Sequence, residues 1–273
     1  MRTRALALVL VISAVMATLA CSSDPEIKAA SFTAADYSFS GPATLEAGTT
    51  TITLNNTGNE AHHIQLVKID GDHTIEELLE AGEELPDWAS EAGGPSVAMP
   101  GSTSNATFEL EAGEYALLCF IPNAEGVPHV ALCMADELTV TASDDDFADL
   151  PDEDVTVNMA DFAFQGVPDT LDSGETTFHV SNTGAQAHET VLARLNEGAT
   201  PEQFLAAFDP AGPGGPPPGA FAGGFQGIVP GGKGTFTANL TAGNYALLCF
   251  IADPQSGAPH FALGMVKEVI VGG

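Results

Sequence analysis

One stretch of this chain is written twice, and it carries metal-binding chemistry both times. The first copy runs Gly113-Glu114-Tyr115-Ala116-Leu117-Leu118-Cys119-Phe120-Ile121, then through a loop to Pro128-His129 and Met134. The second runs Gly243-Asn244-Tyr245-Ala246-Leu247-Leu248-Cys249-Phe250-Ile251, then to Pro259-His260 and Met265. A soft thiolate, an imidazole and a thioether in close array suit copper, provided a second imidazole joins them.

That second imidazole must come from another strand. Asn56-Thr57-Gly58 is followed after three residues by His62, and Asn182-Thr183-Gly184 likewise by His188. An Asn-x-Gly turn ends one strand and opens the next, and the Tyr-Ala-Leu-Leu-Cys strand runs to the same end of a sandwich. His62, Cys119, His129 and Met134 therefore converge at one pole. His188, Cys249, His260 and Met265 do so in the second copy.

The whole chain is consistent with two such units. It has 273 residues, 44% of them hydrophobic, with 29 glycines and 18 prolines, which suits an all-β protein with many turns. Met1 to Ala20 reads as an export signal: Arg2 and Arg4, then an apolar run ending Thr18-Leu19-Ala20-Cys21. The expected form is a lipoprotein signal with Cys21 lipidated, ordinary secretion being the alternative, so the protein is expected outside the cytoplasmic membrane. Residues 21–31 read as a tether and 32–142 as the first domain. Residues 143–154, with seven acidic side chains and Pro151, read as a linker, and 155–273 as the second domain.

Matched landmarks recur at a spacing of 125 to 131 residues, including Ala35-Asp36-Tyr37-Ser38-Phe39 against Ala160-Asp161-Phe162-Ala163-Phe164. Alternating runs at 50–54 and 176–180 predict strands. Thr74-Ile75-Glu76-Glu77 and Thr200-Pro201-Glu202-Gln203 each predict one short inserted helix through a capping box. The Gly/Pro-rich stretch from Pro210 to Gly227 reads as an inserted loop.

Charge excludes some function classes. With 37 acidic and 7 basic residues, the surface repels phosphate backbones, so nucleic acid is not an expected partner. Such a surface attracts a basic partner or keeps a protein soluble in high salt.

With the upstream His, the Gly-x-Tyr strand and the duplication in view, both units resemble cupredoxins, the blue-copper family. The resemblance covers nearly all of the chain beyond the signal. It implies two tandem Greek-key β-sandwich domains, up to two coppers (one type 1 site per domain), and one-electron transfer with a redox partner protein. It also implies that His129 and His260 lie near the surface as the electron's exit, and that Asn56 and Asn182 tie the His strand to the Cys loop. The Cys-to-His loops, with nine and ten intervening residues, are long for the family.

Other readings stay open at this level. Cys119 and Cys133 could form a disulfide, but Cys249 has no counterpart partner because Gly264 stands where Cys133 does. Cys133 reads as a small buried hydrophobe or stray thiol that could disturb Met134. His63 aligns with Glu189 and reads as a surface strand residue, a ligand role being the alternative. His73 and His179 read as surface histidines. Leu and Phe flank both cysteines, and no second set of paired histidines is seen, so a catalytic copper cluster is not expected. The expected function is a membrane-tethered, exported electron carrier. The alternatives are copper storage, delivery or sensing, and a copper-free binding module of the same fold.

Overall fold

The computed structural model describes residues 25–82, 85–208 and 215–273. The expected signal at 1–20 and Cys21 lie outside the described residues.

The first repeat holds β1 (Lys28–Ala35), β2 (Ser38–Ser40), β3 (Thr44–Glu46), β4 (Gly48–Asn56), β5 (Gln65–Ile69), β6 (Ala89–Glu91), β7 (Thr103–Leu110), β8 (Gly113–Leu118) and β9 (Ala135–Thr141). The second holds β10 (Val155–Ala160), β11 (Ala163–Gln165), β12 (Thr170–Leu171), β13 (Gly174–Asn182), β14 (His188–Leu195), β15 (Gly219–Ile228), β16 (Lys233–Leu240), β17 (Gly243–Leu248) and β18 (Val266–Val271). Alternation sets which side chains enter the core. In β4, Ile52 and Leu54 are fully buried, and in β13 so are Phe178 and Val180. The two helices are α1 (Ile75–Ala81) and α2 (Pro201–Leu205), capped by Thr74 and Thr200 through complete capping boxes.

Each repeat is a two-layer β-sandwich. One layer is private to the repeat: β3-β9-β8-β5-β6 in the first and β12-β18-β17-β14-β15 in the second. The other is shared, an eight-stranded sheet in the order β11-β10-β13-β16-β7-β4-β1-β2. The repeats join where β7 meets β16, with Phe108 opposite Gly234 and Thr107 opposite Thr235. The Asn105 amide extends this seam, donating to Thr237 Oγ1 at 2.8 Å and accepting from Thr237 N at 3.1 Å.

A second seam runs through segment 92–96 and β15. Gly93 N donates to Gly227 O at 2.8 Å, Gln226 N to Gly94 O at 2.9 Å and Ser96 N to Gly224 O at 3.2 Å. Gly94 and Gly224 have φ of +131° and +130°, and a Cβ there would sit 2.2 Å and 2.1 Å from the carbonyl oxygens of Ile64 and Thr190. Only glycine lets the backbones come this close.

Two expectations are corrected. β1 begins at Lys28, inside the stretch read as tether, because Ala30, Phe32 and Ala34 alternate into the core. The stretch from 210 to 227 is not all loop: from Gly219 it is β15, paired with β14, its glycines serving the second seam. The acidic segment 143–154 does connect the repeats, but the shared sheet, not that segment, fixes how they sit. The segment itself is pinned, with Thr49 Oγ1 donating to Ala148 O and Asp154 N to Thr177 O.

Candidate metal centres

The turn after β4 is built by one side chain. Asn56 Oδ1 accepts from Gly58 N at 2.8 Å, while its amide donates to the carbonyls of Glu60 at 2.7 Å and Ala98 at 2.8 Å. Asn182 repeats this with Gly184 N, Gln186 O and Ile228 O. Both therefore shape the turn that carries the upstream His and tie it to segment 98 or 228. The expected tie to the Cys loop is not made. Gly58 and Gly184 are needed because a Cβ would lie 2.9 Å from His62 Nε2 and 2.6 Å from His188 Nε2.

β8 and β17 end one residue before Cys119 and Cys249. The chain then loops and returns as a 3₁₀ turn, His129–Leu132 or His260–Leu263, which the sequence reading did not anticipate. Val130 N donates to Cys119 O at 2.7 Å and Phe261 N to Cys249 O at 2.9 Å, fixing each loop His beside its Cys. Met134 and Met265 follow, both fully buried, their N–H groups bonded to His129 O and His260 O.

The structure brings His62, Cys119 and His129 together, and separately His188, Cys249 and His260. In each group the donor atoms all lie within 4.8 Å of one another. His62 Nδ1 and His129 Nδ1 are 3.1 Å apart, as are His188 Nδ1 and His260 Nδ1. Cys119 Sγ is 3.5 Å from His129 Nδ1, and Cys249 Sγ is 3.4 Å from His260 Nδ1. All six residues are 0% exposed. The loop histidines are thus covered from solvent, although Glu60, which meets His129, is itself partly exposed.

The far ring nitrogens decide whether this array fits a cation. His62 Nε2 faces Asp36 Oδ1 at 3.5 Å, and His129 Nε2 faces Glu60 Oε2 at 2.7 Å. His188 Nε2 faces Asp161 Oδ1 at 3.0 Å, and His260 Nε2 faces Gln186 Oε1 at 3.1 Å. The Gln186 orientation is fixed because its NH₂ donates to the Asp253 carboxylate at 2.9 Å. Carboxylate and amide oxygens only accept, so each Nε2 carries the proton. Each ring then turns its Nδ1 toward the other ring and toward the thiol sulfur. Two lone pairs at 3.1 Å repel unless a proton or metal ion lies between them, so the donor set fits a bound soft cation.

Burial sets the protonation of the remaining groups. It pushes the Cys119 thiol up to about 11 and the Cys249 thiol up further, so a metal would have to displace a proton from each. Burial and the neighbouring His188 bring His260 down to about 4, and burial lowers His62. Donated hydrogen bonds, from the Asn59 side chain first, bring Asp36 down to about 2.

His63 is buried, not on the surface, and its Nε2 accepts from Phe120 N at 2.9 Å. Glu189 takes the same place, accepting from Phe250 N at 2.8 Å, and burial lifts its carboxyl to about 7. Each accepts the part-buried N–H that follows the Cys, which makes these positions supports of the Cys loop. Cys133 is exposed and unpaired, in the left-handed conformation (φ 70°), and no disulfide joins it to Cys119. His73 stacks on Trp88 and pairs with Glu77, away from both centres. His179 meets Ser181.

The sequence reading missed Asp36, Asp161, Glu60 and Gln186. Asp36 and Asp161 were within reach, since they sit in the repeated Ala-Asp-aromatic motif. The aromatic residue of that motif, Tyr37 or Phe162, has φ of 63° or 61° and sets its ring edge-on to His129 or His260 at 5.1 or 5.3 Å.

No protein-family model matches the chain, and comparison with curated proteins finds no match. Among solved structures, the chain is similar to auracyanin A, a "blue" copper protein from Chloroflexus aurantiacus. Identity there is 24%, over 42% of this chain and all of that one, with a TM-score of 0.31. A dithionite-reduced auracyanin from Roseiflexus castenholzii is 23% identical over 43% of this chain and 98% of that one, TM-score 0.28. A copper-containing nitrite reductase from Thermus scotoductus is 12% identical over 91% of this chain and 62% of that one, TM-score 0.26.

Proposed function

We propose that this protein binds copper at two mononuclear centres, His62-Cys119-His129-Met134 and His188-Cys249-His260-Met265, and carries single electrons. The observation that carries this reading is the donor array. In each repeat two imidazole Nδ1 atoms and one thiol meet in a fully buried space, with every Nε2 already committed elsewhere. Nitrogen and thiolate donors in a three-membered set favour copper over hard cations. Met134 and Met265 would supply the weak fourth contact.

Burial favours a carrier over a catalyst. A substrate would need an open path to the metal, whereas an electron does not, and all six His and Cys donors are 0% exposed. Partners on every Nε2 hold the imidazoles still, which limits rearrangement when the charge on the metal changes. The proposed setting is outside the cytoplasmic membrane, tethered through a lipid on Cys21, in keeping with the sequence of residues 1–21. No helix among the described residues is long and apolar enough to cross a membrane.

The test is optical. Cu(II) added to the metal-free protein is expected to give an intense visible band that bleaches with a one-electron reductant and returns on oxidation. A colourless complex that does not cycle contradicts the carrier reading and leaves storage or delivery.

A further inference from the structure

Glu60 and Gln186 hold the same place in the two repeats, two residues before the upstream His. Both cap the far nitrogen of the loop imidazole: Glu60 Oε2 on His129 at 2.7 Å, Gln186 Oε1 on His260 at 3.1 Å. The rest of each centre is closely matched. The donors are identical and the Nδ1 to Nδ1 distances are equal at 3.1 Å, while an Asp faces each upstream histidine, Asp36 at 3.5 Å and Asp161 at 3.0 Å. The first centre thus has a carboxylate directly on a donor ring where the second has a neutral amide.

Resting on the copper-carrier reading, we propose that Glu60 and Gln186 make the two centres unequal electron acceptors, so that the first electron taken up by the chain resides on the second centre. A carboxylate hydrogen-bonded to a donor imidazole makes the ring more basic and stabilises the more positive state of a bound metal. The amide of Gln186 donates no net charge. The nearest carboxylate behind it, Asp253, is one side chain further out, 2.9 Å from the Gln186 amide nitrogen. Tyr37 Oη also reaches Glu60, at 3.4 Å, a long contact that leaves the short bond to His129 dominant. Two further charge-bearing differences exist: Asp161 lies 0.5 Å closer to its His than Asp36 does (3.0 against 3.5 Å), and Glu189, where the first repeat has His63, meets the backbone N–H of Phe250 beside Cys249 and not a donor ring.

The repeats also supply a bonded route between the centres. His62 pairs with Ala98 through two backbone hydrogen bonds of 3.1 and 2.8 Å. Two residues back, Ser96 Oγ accepts from Gln226 Nε2 at 2.9 Å. Two residues on from Gln226, Ile228 pairs with His188 in the β14–β15 ladder. With copper bound at both centres, an electron passing from the first to the second would oxidise one ion by one unit and reduce the other by one. No bond forms or breaks, and no co-reactant is required.

Spectroelectrochemical titration of the copper-loaded full chain tests this, using wild type, Glu60→Gln, Gln186→Glu and, as a control, Glu189→Gln. A Cys119→Ser variant assigns the remaining blue signal to the second centre. The expected result is two one-electron steps, the higher belonging to the second centre. Glu60→Gln should raise the lower step by at least a factor of ten in equilibrium constant, about 59 mV for one electron, and Gln186→Glu should lower the higher step. Glu189→Gln should preserve the order. A first centre with the higher potential, or steps unmoved by both exchanges, overturns the proposal while leaving the carrier reading intact. If bound copper does not cycle, the carrier reading fails, and separate Cu(II) and Cu(I) affinities decide the proposal. Glu60→Gln should then weaken Cu(II) at the first centre about tenfold relative to Cu(I), and an unchanged ratio overturns it. Absence of any copper binding overturns both.

Discussion

Pro95 and Phe225, which occupy equivalent places in the two repeats, lie directly opposite each other across the antiparallel seam that joins them. The hydrogen bonds on either side are mates of one another: Gln226 N to Gly94 O, and Ser96 N to Gly224 O. The β7–β16 seam does not repeat this symmetry: its backbone pairs are Phe108 with Gly234 and Thr107 with Thr235, and beyond them the Asn105 side chain bonds Thr237. Where Pro95 meets Phe225 the repeats therefore form a local isologous pair within one chain, each presenting the same segment to the other.

Phe225 anchors this pairing. It is fully buried and meets Phe108 of the first repeat edge-on at 5.7 Å. Phe225→Ala is expected to cost about 3–5 kcal/mol. Because one core cluster runs through both repeats, wild type should unfold in one thermal transition, and the variant should lower that transition or split it. Loss of less than about 1 kcal/mol in a denaturant titration would contradict a shared core.

Glu91 sits beside the second seam, its backbone oxygen accepting from Val229 N at 3.3 Å. Burial raises its carboxyl above the ordinary 4.5. A carboxyl whose folded-state value is raised penalises the folded state once the unfolded chain ionises, so the penalty is absent in acid and appears as pH rises past that ordinary value. Glu91→Gln should accordingly raise the melting temperature at pH 7 and leave it nearly unchanged at pH 3. An equal effect at both pH values would rule out the ionic cause.

His63 and Glu189 do the same work with different chemistry, each accepting the N–H of the residue after the Cys. Replacing His63 by Ala should leave the Phe120 N–H unpaired and cost about 1–3 kcal/mol. Glu at position 63 restores an acceptor and should recover much of the loss. Equal urea midpoints for the Ala and Glu variants would show that the hydrogen bond is not what matters.

The three thiols of the described residues differ sharply in access. Cys133 is exposed, whereas Cys119 and Cys249 are fully buried. A thiol reagent applied to the folded, metal-free protein should modify Cys133 quickly and the other two only on unfolding. Peptide mapping after brief labelling reads this out directly, and early modification of Cys119 or Cys249 would contradict the sealed sites.

Much of the candidate site was legible because ligand chemistry is carried by rare residue types. Cys, His and Met recur in order in both repeats, and the turn glycines and capping boxes mark the elements that hold them. What was not legible depends on neighbours in space. Nothing local says that Glu60 reaches across 69 positions to His129, or that His63 is buried, since a polar residue just ahead of a strand has no sequence signal for its covering layer. The glycine pairs 93–94 and 223–224 were repeated like the ligands, yet glycines mark close approach without naming the partner. Gly93 and Gly223 face the other repeat, at Phe225 and Ser104, whereas Gly94 and Gly224 close onto the carbonyls of Ile64 and Thr190 in their own.

The central claim is that each repeat holds one copper through its own Cys and two His. Titrating Cu(II) into the metal-free full chain, while following the visible thiolate-to-copper band, tests it most directly. Wild type should saturate at two equivalents of the coloured species. Cys119→Ser and Cys249→Ser should each saturate at one, and the double variant should give none. A wild-type protein that stays colourless, or a band that survives loss of both cysteines, would contradict the account.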